Sequence, residues 1–321
     1  MLKYTLRRVL AMIPMLFLIS IIVFSLAKLM PGDSLGGEID PANTDPEYIE
    51  QMREKLGYND PIYEQYFRWI TNFVQGDFGK STRYKIPANE IIMERLLNTI
   101  FLSLTSLIIT YVLALAMGIY SGRKPYTLGD NTIAAANYIG LALPSFVAGV
   151  FAIYIFSFHL GWFPSNGSVD ISVTEGTFEY WLSRFHHVLL PAFVLGLLNT
   201  ASYTQFLRND IIENSRKDYV RTARAKGTSE SKIYNVHIFR NSVIPLVTFL
   251  GFDIVNLVGG AIITETIFTY PGIGQLFLTS VTNRDYSVLM TLTMMFSLLT
   301  LVGNLVADIL YGIVDPRIRL D

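Results

Sequence analysis

The chain has 321 residues, of which 51% are hydrophobic and only 16% charged, and its mean hydropathy is +0.39. Soluble domains usually carry about 25% charged residues, so this composition excludes an ordinary soluble protein and indicates a chain embedded in lipid. A net charge of -1 excludes the basic balance of a nucleic-acid-binding protein, and we expect no nucleic-acid partner. The absence of cysteine excludes disulfides, thiolate metal sites and cysteine nucleophiles.

Six stretches of the chain are long and apolar enough to cross a membrane as helices. A span needs roughly 20 apolar residues, because each residue of a helix rises about 1.5 Å and the hydrocarbon is about 30 Å thick. None of the stretches alternates polar and apolar residues as barrel strands do. We therefore predict an all-α membrane protein with six transmembrane helices, at 9–30, 99–120, 132–158, 188–207, 243–268 and 287–311.

Two details of these spans follow from the sequence. The first span could be a cleavable signal peptide, but its apolar run exceeds the 7 to 15 residues that are typical of such peptides, so we interpret it as uncleaved. Pro144 and Pro191 are predicted to kink the third and fourth spans.

The distribution of Lys and Arg predicts that both termini are cytoplasmic. The short connections on the opposite side carry only Arg184 and Arg284, whereas the outer segment 31–98 has twelve acidic and seven basic residues. The connections assigned to the cytoplasm carry fifteen basic residues: Lys3, Arg7, Arg8, Arg123, Lys124, Arg208, Arg216, Lys217, Arg221, Arg224, Lys226, Lys232, Arg240, Arg317 and Arg319.

The same pattern divides the chain into four parts. Residues 1–30 form the cytoplasmic N-terminus and first span, and residues 31–98 form a helical extracytoplasmic segment. Residues 99–312 form a five-helix core that includes the cytoplasmic loop 208–242, and residues 313–321 form a cytoplasmic tail.

The outer segment is predicted to be structured. The Asp-Pro pairs at 45–46 and 60–61 are typical of helix starts, and the glycines at 57 and 76 are placed where helices end. Between them runs an amphipathic helix, which we expect to pack against the protein's own bundle rather than against a partner. Its apolar residues are Ile62, Tyr66, Trp69, Ile70 and Phe73.

No nucleotide or metal site is predicted in the chain. Gly79-Lys80-Ser81 resembles the end of a phosphate-binding loop, but the first glycine of that motif is missing and the segment is predicted to lie outside. The four histidines do not form the helical pair of a zinc protease. If the protein drives uphill transport with ATP, the ATPase must be a separate chain.

The loop between the fourth and fifth spans is the most informative segment. Helix propensity predicts a helix from Asp218 to Lys226, stopped by Gly227, and a second helix that Ser229 caps and that begins near Glu230. Small residues at the turn would permit close approach by another protein, and the bases around them are positive. The alternative is a basic loop that sets topology and touches lipid head groups.

The residues YVRTARAKG at 219–227 and RNSVIPL at 240–246 resemble the permease subunits of ABC importers, in the branch that transports dipeptides, oligopeptides and nickel. Against that family's general loop pattern, Glu-Ala-Ala-x3-Gly-x9-Ile-x-Leu-Pro, only Ala223 and Gly227 match. The resemblance nevertheless runs through the whole chain, and the long outer segment is similar to the B-type member of a permease pair. It includes RRVLAMIP, QYFRWITNFVQGDFGKS, LPSFVAGV, ETIFTYPGIGQL and DPRIRL.

The resemblance implies a type I ABC importer permease fold in a bacterial or archaeal cell (inner) membrane. It implies a pathway shared with a second homologous permease, two cytoplasmic ATPases that bind ATP and Mg, and an extracytoplasmic peptide-binding protein, with no cofactor in this chain. The short helix of the loop would enter a groove on the ATPase, which the small Ala223 and Ala225 would permit. The implied coupling residues are Asp218, Tyr219, Arg221, Thr222, Ala223, Arg224, Ala225, Lys226 and Gly227.

A charged residue inside a span is a functional candidate, because burying an unpaired charge in lipid is expensive. Asp253 lies ten residues into the fifth span, with Asn256 nearby. Two interpretations stay open: these residues line the translocation path, or Asp253 makes an internal salt bridge or a hydrogen bond between helices.

Three alternative functions also stay open. A nickel permease of the same family is one, although no His or Cys cluster supports it. A secondary transporter driven by an ion gradient is another, but it would need internal repeats and broken helices. An intramembrane enzyme would need catalytic companions for Asp253, and the sequence offers none.

Overall fold

The computed structural model describes residues 2–30, 45–256 and 261–314. Within these ranges the regular elements are helices, with one isolated bridge between Lys80 and Pro87. Two π-helical segments, Ile153–His159 and Ile233–Phe239, continue α6 and α9. The helices are α1 (Leu2–Leu29), α2 (Pro46–Leu56), α3 (Ile62–Val74), α4 (Ala88–Arg123), α5 (Leu128–Ala142), α6 (Ser145–Ala152), α7 (Phe178–Ser215), α8 (Asp218–Ala225), α9 (Glu230–Lys232), α10 (Arg240–Asn256), α11 (Ile262–Ile267), α12 (Ile273–Thr282) and α13 (Tyr286–Val314).

Four helices in the described ranges are long and apolar enough to cross a membrane: α1, α4, α7 and α13. They meet the first, second, fourth and sixth predicted spans. The third predicted span is met by α5 and α6, which form a pair bent by 104°. The fifth is met by α10, which has 17 residues; residues 257–260 lie outside the described part of the chain and α11 follows them.

The bend in the third span is sharper than the predicted kink. Leu143 is extended, with ψ at 123°, and Pro144 follows with ψ at 137°. The helical region is disfavoured for a residue before proline, because the proline ring clashes with that residue's backbone and Cβ. Pro144 therefore separates two helices, whereas α7 continues through Pro191.

The chain divides into two units, which are described separately. The first takes in residues 1–99, 258–262 and 271–321, and the second takes in residues 100–257 and 263–270.

In the first unit, α2 has the predicted caps at both of its ends. The Asp45 carboxylate accepts a hydrogen bond from the backbone N–H of Glu47 at 3.0 Å, and Gly57 ends α2 with φ at +70°. The second predicted cap is wrong, because α3 starts one residue later than expected, after Pro61. The Asp60 carboxylate instead pairs with Arg68, the seventh residue of α3.

Helix α3 packs on the bundle, as predicted. Tyr66 is buried against α1, and its hydroxyl lies 2.8 Å from the hydroxyl of Ser20. Burying this aromatic face stabilises the outer segment through apolar contact. The apolar cluster that it joins consists of Val23, Phe24, Ala27, Tyr66, Tyr286, Met290 and Met294.

In the second unit, α4 and α7 approach each other closely. A Cβ on Gly196 would lie 2.9 Å from the carbonyl oxygen of Ser106, and one on Gly122 would lie 2.7 Å from the Cβ of Ile211. The Thr110 hydroxyl donates to the Gly196 carbonyl at 3.1 Å, so a polar bond accompanies the small-residue contact. Small residues and interhelical hydrogen bonds are the usual means of joining helices in lipid.

Candidate functional site

The cytoplasmic loop folds as a short helix, a turn and a second helix, as the sequence predicts. Helix α8 begins at Asp218 and ends at Ala225, and Gly227 follows with φ at +76°. A Cβ at Gly227 would have open space, so glycine is favoured there by the left-handed backbone rather than by crowding. The second helix starts at Glu230, although the side chain of Ser229 makes no capping bond.

One face of α8 packs on the protein's own chain. Val220 is fully buried and Ala223 is 8% exposed. The Tyr219 hydroxyl donates to the amide oxygen of Asn214 at 2.9 Å. Ala223 is thus largely covered by this chain's own side chains, and its entry into a partner's groove stays a prediction. The surrounding apolar residues are Leu207, Ile211, Ile233, Ile238 and Leu246.

The other face of α8 is exposed and positively charged. We call it the outer face of α8, and it consists of Asp218, Arg221, Thr222, Arg224, Ala225, Lys226 and Gly227. Arg221 lies 3.5 Å from Asp218 in an exposed ion pair. Of the two alanines of α8, Ala225 is therefore the one that is open to another protein.

An exposed ion pair joins the two helices of the loop. The Arg224 guanidinium donates to the Glu230 carboxylate at 2.7 Å and 3.2 Å, across the turn at 227–229. The hydrogen bond from Arg224 lowers the pKa of Glu230, and the same bond raises the pKa of Arg224. The pair bridges the turn and leaves the outer face of α8 open.

The π-helical segment after α9 is held against the end of α4. The Arg123 guanidinium lies over the ring of Tyr234 at 4.3 Å, within the range of a cation–π contact. Burial raises the pKa of Tyr234 to about 12, so the ring stays neutral while the cation rests on it. This contact joins residues far apart in the chain, so no local pattern in the sequence indicates it.

A buried ion pair joins α5 to α7 just before the loop. Arg208 Nε and Nη2 donate to the two carboxylate oxygens of Asp130 at 2.6 Å and 2.7 Å. The Asp130 side chain is 1% exposed and that of Arg208 is 16% exposed. The backbone N–H of Tyr126 adds a third bond to Asp130, at 2.7 Å. The sequence signal for this pair is an acidic residue at the edge of a predicted span, and Arg208 is one of the bases that predict the topology.

Asp253 makes hydrogen bonds to two other helices. The Tyr111 hydroxyl on α4 donates to one carboxylate oxygen at 2.7 Å, and the Tyr203 hydroxyl on α7 is 2.9 Å from both oxygens. The two tyrosine rings are 5.3 Å apart. Of the two interpretations of Asp253, the hydrogen bond between helices is observed, and lining of the path stays a prediction. Asn256 ends α10, and its side chain lies outside the described part of the structure.

Two family profiles match nearly the whole chain. Residues 1–105 match the N-terminal profile of binding-protein-dependent transport system membrane components. Residues 114–320 match the profile described as binding-protein-dependent transport system inner membrane component.

Two relatives align along the full chain. The oligopeptide transport system permease protein AppB of Bacillus subtilis (strain 168) is 42% identical over 320 residues, which cover 99% of this chain and 100% of the relative. The glutathione transport system permease protein GsiC of Escherichia coli (strain K12) is 36% identical over 323 residues, which cover 99% of each protein.

A solved structure shares the fold. It is described as inward facing conformations of the MetNI methionine ABC transporter, and one of its chains superposes with a TM-score of 0.54 and 16% identity. The match covers 70% of this chain and 96% of that chain. The expected all-α, type I importer permease fold is confirmed. The profile matches and the full-length identities establish that the protein belongs to the family of binding-protein-dependent transport system inner membrane components, the multi-pass permeases of ABC importers.

Proposed function

We propose that this chain is a permease subunit of an ATP-driven peptide importer. The observation that carries the proposal is the 42% identity to a permease named for oligopeptide transport, which extends from end to end of both proteins. The second relative is named for glutathione, itself a tripeptide, so the two substrates share peptide chemistry. The alternatives from other classes, an ion-gradient-driven transporter and an intramembrane enzyme, do not fit the family.

The importer is completed by other chains. A second homologous permease shares the translocation pathway, two cytoplasmic ATPases bind ATP and Mg, and an extracytoplasmic peptide-binding protein delivers the substrate. Both termini of this chain are cytoplasmic, in agreement with the excess of Lys and Arg on that side. Nucleotide chemistry takes place on the ATPases, and this chain converts their movement into a change of access.

The outer face of α8 is the surface that contacts the ATPase. Arg221, Arg224 and Lys226 make it basic, and Ala225 leaves room for close approach at its centre. The inner residues Val220 and Ala223 fix α8 to the end of α7. A rigid-body movement of α8 is therefore transmitted directly into a long membrane helix. Asp253 lies on the pathway that this movement opens and closes.

The test of coupling compares two glycines with the same backbone conformation. Gly227 and Gly176 both have positive φ, at +76° and +84°, and a Cβ at either position has open space. Gly227→Trp places a bulky ring beside the outer face of α8, and Gly176→Trp places one on the extracytoplasmic side. Both variants carry a similar cost of left-handed strain, about 1–2 kcal/mol.

We expect Gly227→Trp to insert normally but to lose co-purification with the ATPase and to abolish peptide uptake. Gly176→Trp should retain the ATPase. Normal uptake by Gly227→Trp would contradict the coupling role of α8.

Growth on peptides as the sole amino-acid source, with and without the gene, tests the substrate class. If cells without the gene lost nickel uptake but grew normally on peptides, the substrate would be nickel rather than peptide.

A further inference from the structure

The Asp253 carboxylate carries a charge that its hydrogen bonds do not neutralise. Tyr111 and Tyr203 are the two partners, and both are neutral hydroxyl donors. Among the residues that the structure describes, no Lys, Arg or His forms an ion pair with Asp253. The contrast with Asp130 is clear, because that carboxylate is paired with a guanidinium through two hydrogen bonds.

The position of the group makes this charge costly. Asp253 belongs to α10, in a predicted span, and its side chain is only half-buried within the chain. A carboxylate that faced hydrocarbon would cost several kcal/mol, so charged groups at this depth face water or protein. The open side of Asp253 therefore faces the aqueous pathway or the second permease rather than lipid.

The surroundings of the carboxylate are aromatic. The rings of Tyr111 and Tyr203 lie 5.3 Å apart, and Phe249 lies 5.9 Å from the ring of Tyr203. Phe206 packs against Phe249 at 4.9 Å. Aromatic faces attract cations, and a carboxylate does so more strongly. Aromatic rings around one unneutralised carboxylate are suited to an organic ammonium group.

We infer that Asp253, Tyr111 and Tyr203 form a subsite for the protonated amine of a peptide in transit, in particular its N-terminal α-ammonium group. The ammonium has three donors, and the carboxylate retains acceptor capacity beyond the three contacts that the tyrosines make. Each tyrosine hydroxyl oxygen can also accept a bond from the ammonium while its own O–H donates to the carboxylate. The subsite is independent of the peptide's side chains, which suits an importer of varied peptides. This inference rests on the proposed function.

The experiment uses the complete importer in proteoliposomes, with both permeases, both ATPases and the binding protein. Trialanine is compared with the analogue in which a hydroxyl replaces the N-terminal ammonium, each at a concentration that saturates the binding protein. Saturation removes the binding protein's own preference, so the rate of import reports passage through the permeases. The unmodified importer should transport trialanine faster, and equal rates would overturn the inference without any variant.

Asp253→Asn removes the charge and retains the shape of the side chain. We expect it to slow trialanine import about tenfold and to leave the import of the hydroxyl analogue unchanged. A tenfold change is the effect of one strong cation–π contact or ion contact. An equal slowing of both compounds would show that the carboxylate only holds the helices together. No slowing of either would also overturn the inference.

Two tyrosine variants separate the ammonium site from general damage. Tyr111→Phe removes one hydroxyl of the subsite and retains the carboxylate of Asp253, so it should reduce the preference for trialanine less than Asp253→Asn does. Tyr138→Phe, at an exposed tyrosine on α5 that is not a hydrogen-bond partner of Asp253, should leave both rates unchanged. A larger loss of the preference in Tyr111→Phe than in Asp253→Asn would overturn the role of the carboxylate. Failure of the unmodified importer to transport either compound would instead overturn the proposed function, and with it this subsite.

Discussion

Two arginine–carboxylate pairs lie in the same unit of this protein and differ mainly in their contact with water. Asp130 and Arg208 meet at 2.6 Å, and Arg224 and Glu230 meet at 2.7 Å. The first pair is 1% and 16% exposed at the two side chains, whereas the second pair is 70% exposed at Glu230. Water screens an exposed pair, but a buried pair that loses one member leaves an uncompensated charge. The comparison indicates that the buried pair connects α5 to α7 strongly, whereas the exposed pair on the loop is a weak connection.

The largest effect is expected from breaking the buried pair. Asp130→Ala leaves the Arg208 guanidinium without its carboxylate, and we expect a loss of about 3–5 kcal/mol in stability. Thermal unfolding of the purified protein in detergent measures the change. Asp218→Ala is the control, because its carboxylate is almost fully exposed in its pair with Arg221 and its removal should shift the midpoint little. Equal shifts in the two variants would show that burial does not separate the two classes of pair.

A compensated double variant sharpens the same comparison. Asp130→Leu combined with Arg208→Met replaces both charges by apolar side chains, and such replacements of buried pairs are often close to neutral. We expect the double variant to recover most of the stability that Asp130→Leu loses alone. The unfolding midpoints of the two single variants and the double variant form a mutant cycle. Additive losses would mean that the two side chains act independently.

Removal of the hydrogen bond from the Tyr111 hydroxyl to Asp253 is expected to have a smaller effect on stability. Tyr111→Phe removes one donor and leaves the bond from Tyr203, so the loss should be about 1 kcal/mol. The same detergent unfolding measurement applies, with Tyr138→Phe as the matched control on an exposed ring. A loss as large as that of Asp130→Ala would place Asp253 with the structural carboxylates.

The exposed pair of the loop should have the smallest effect. Because Arg224 lowers the pKa of Glu230, the pair contributes at pH values above the carboxylate's ordinary pKa. The contribution is lost as the pH falls through the lowered pKa, since Glu230 then binds a proton. We expect the unfolding midpoints of the parent and Glu230→Gln to agree closely near pH 7 and to converge fully in acid. A large difference at pH 7 would mean that the turn at 227–229 depends on this pair.

Local sequence signals predicted much of the fold, and contacts between distant residues did not follow from them. Asp45 and Gly57 begin and end α2 as predicted, because caps depend on adjacent backbone geometry. The predicted cap at Asp60 was wrong because Arg68, eight residues away, binds that carboxylate. The sharp separation at Pro144 was predicted only as a kink, since local preference does not give the angle between two helices.

In the candidate site too, local signals predicted the helix but not its contacts with distant residues. Helix α8 and its stop at Gly227 follow from propensity and turn chemistry. Which face of α8 is covered depends on Leu207, Ile211 and Ile238, which come from other parts of the chain. The only sequence signal for Asp253 was its charge inside a predicted span. Its tyrosine partners come from two other helices, and tyrosine is too common in membrane helices to indicate them in advance.

The close contact between α4 and α7 has a mechanical consequence. Helix α7 has 38 residues, so it is about 57 Å long, and its cytoplasmic end leads into α8 within three residues. Gly196 lies against the backbone of Ser106 and Gly122 lies against the side chain of Ile211, so at both places a shift along the axis would drive side chains into backbone. The two helices therefore resist sliding and behave as a single stiff lever. A small displacement of α8 at one end would become a larger swing at the other, and the amplification is set by the length of α7 rather than by any flexible joint.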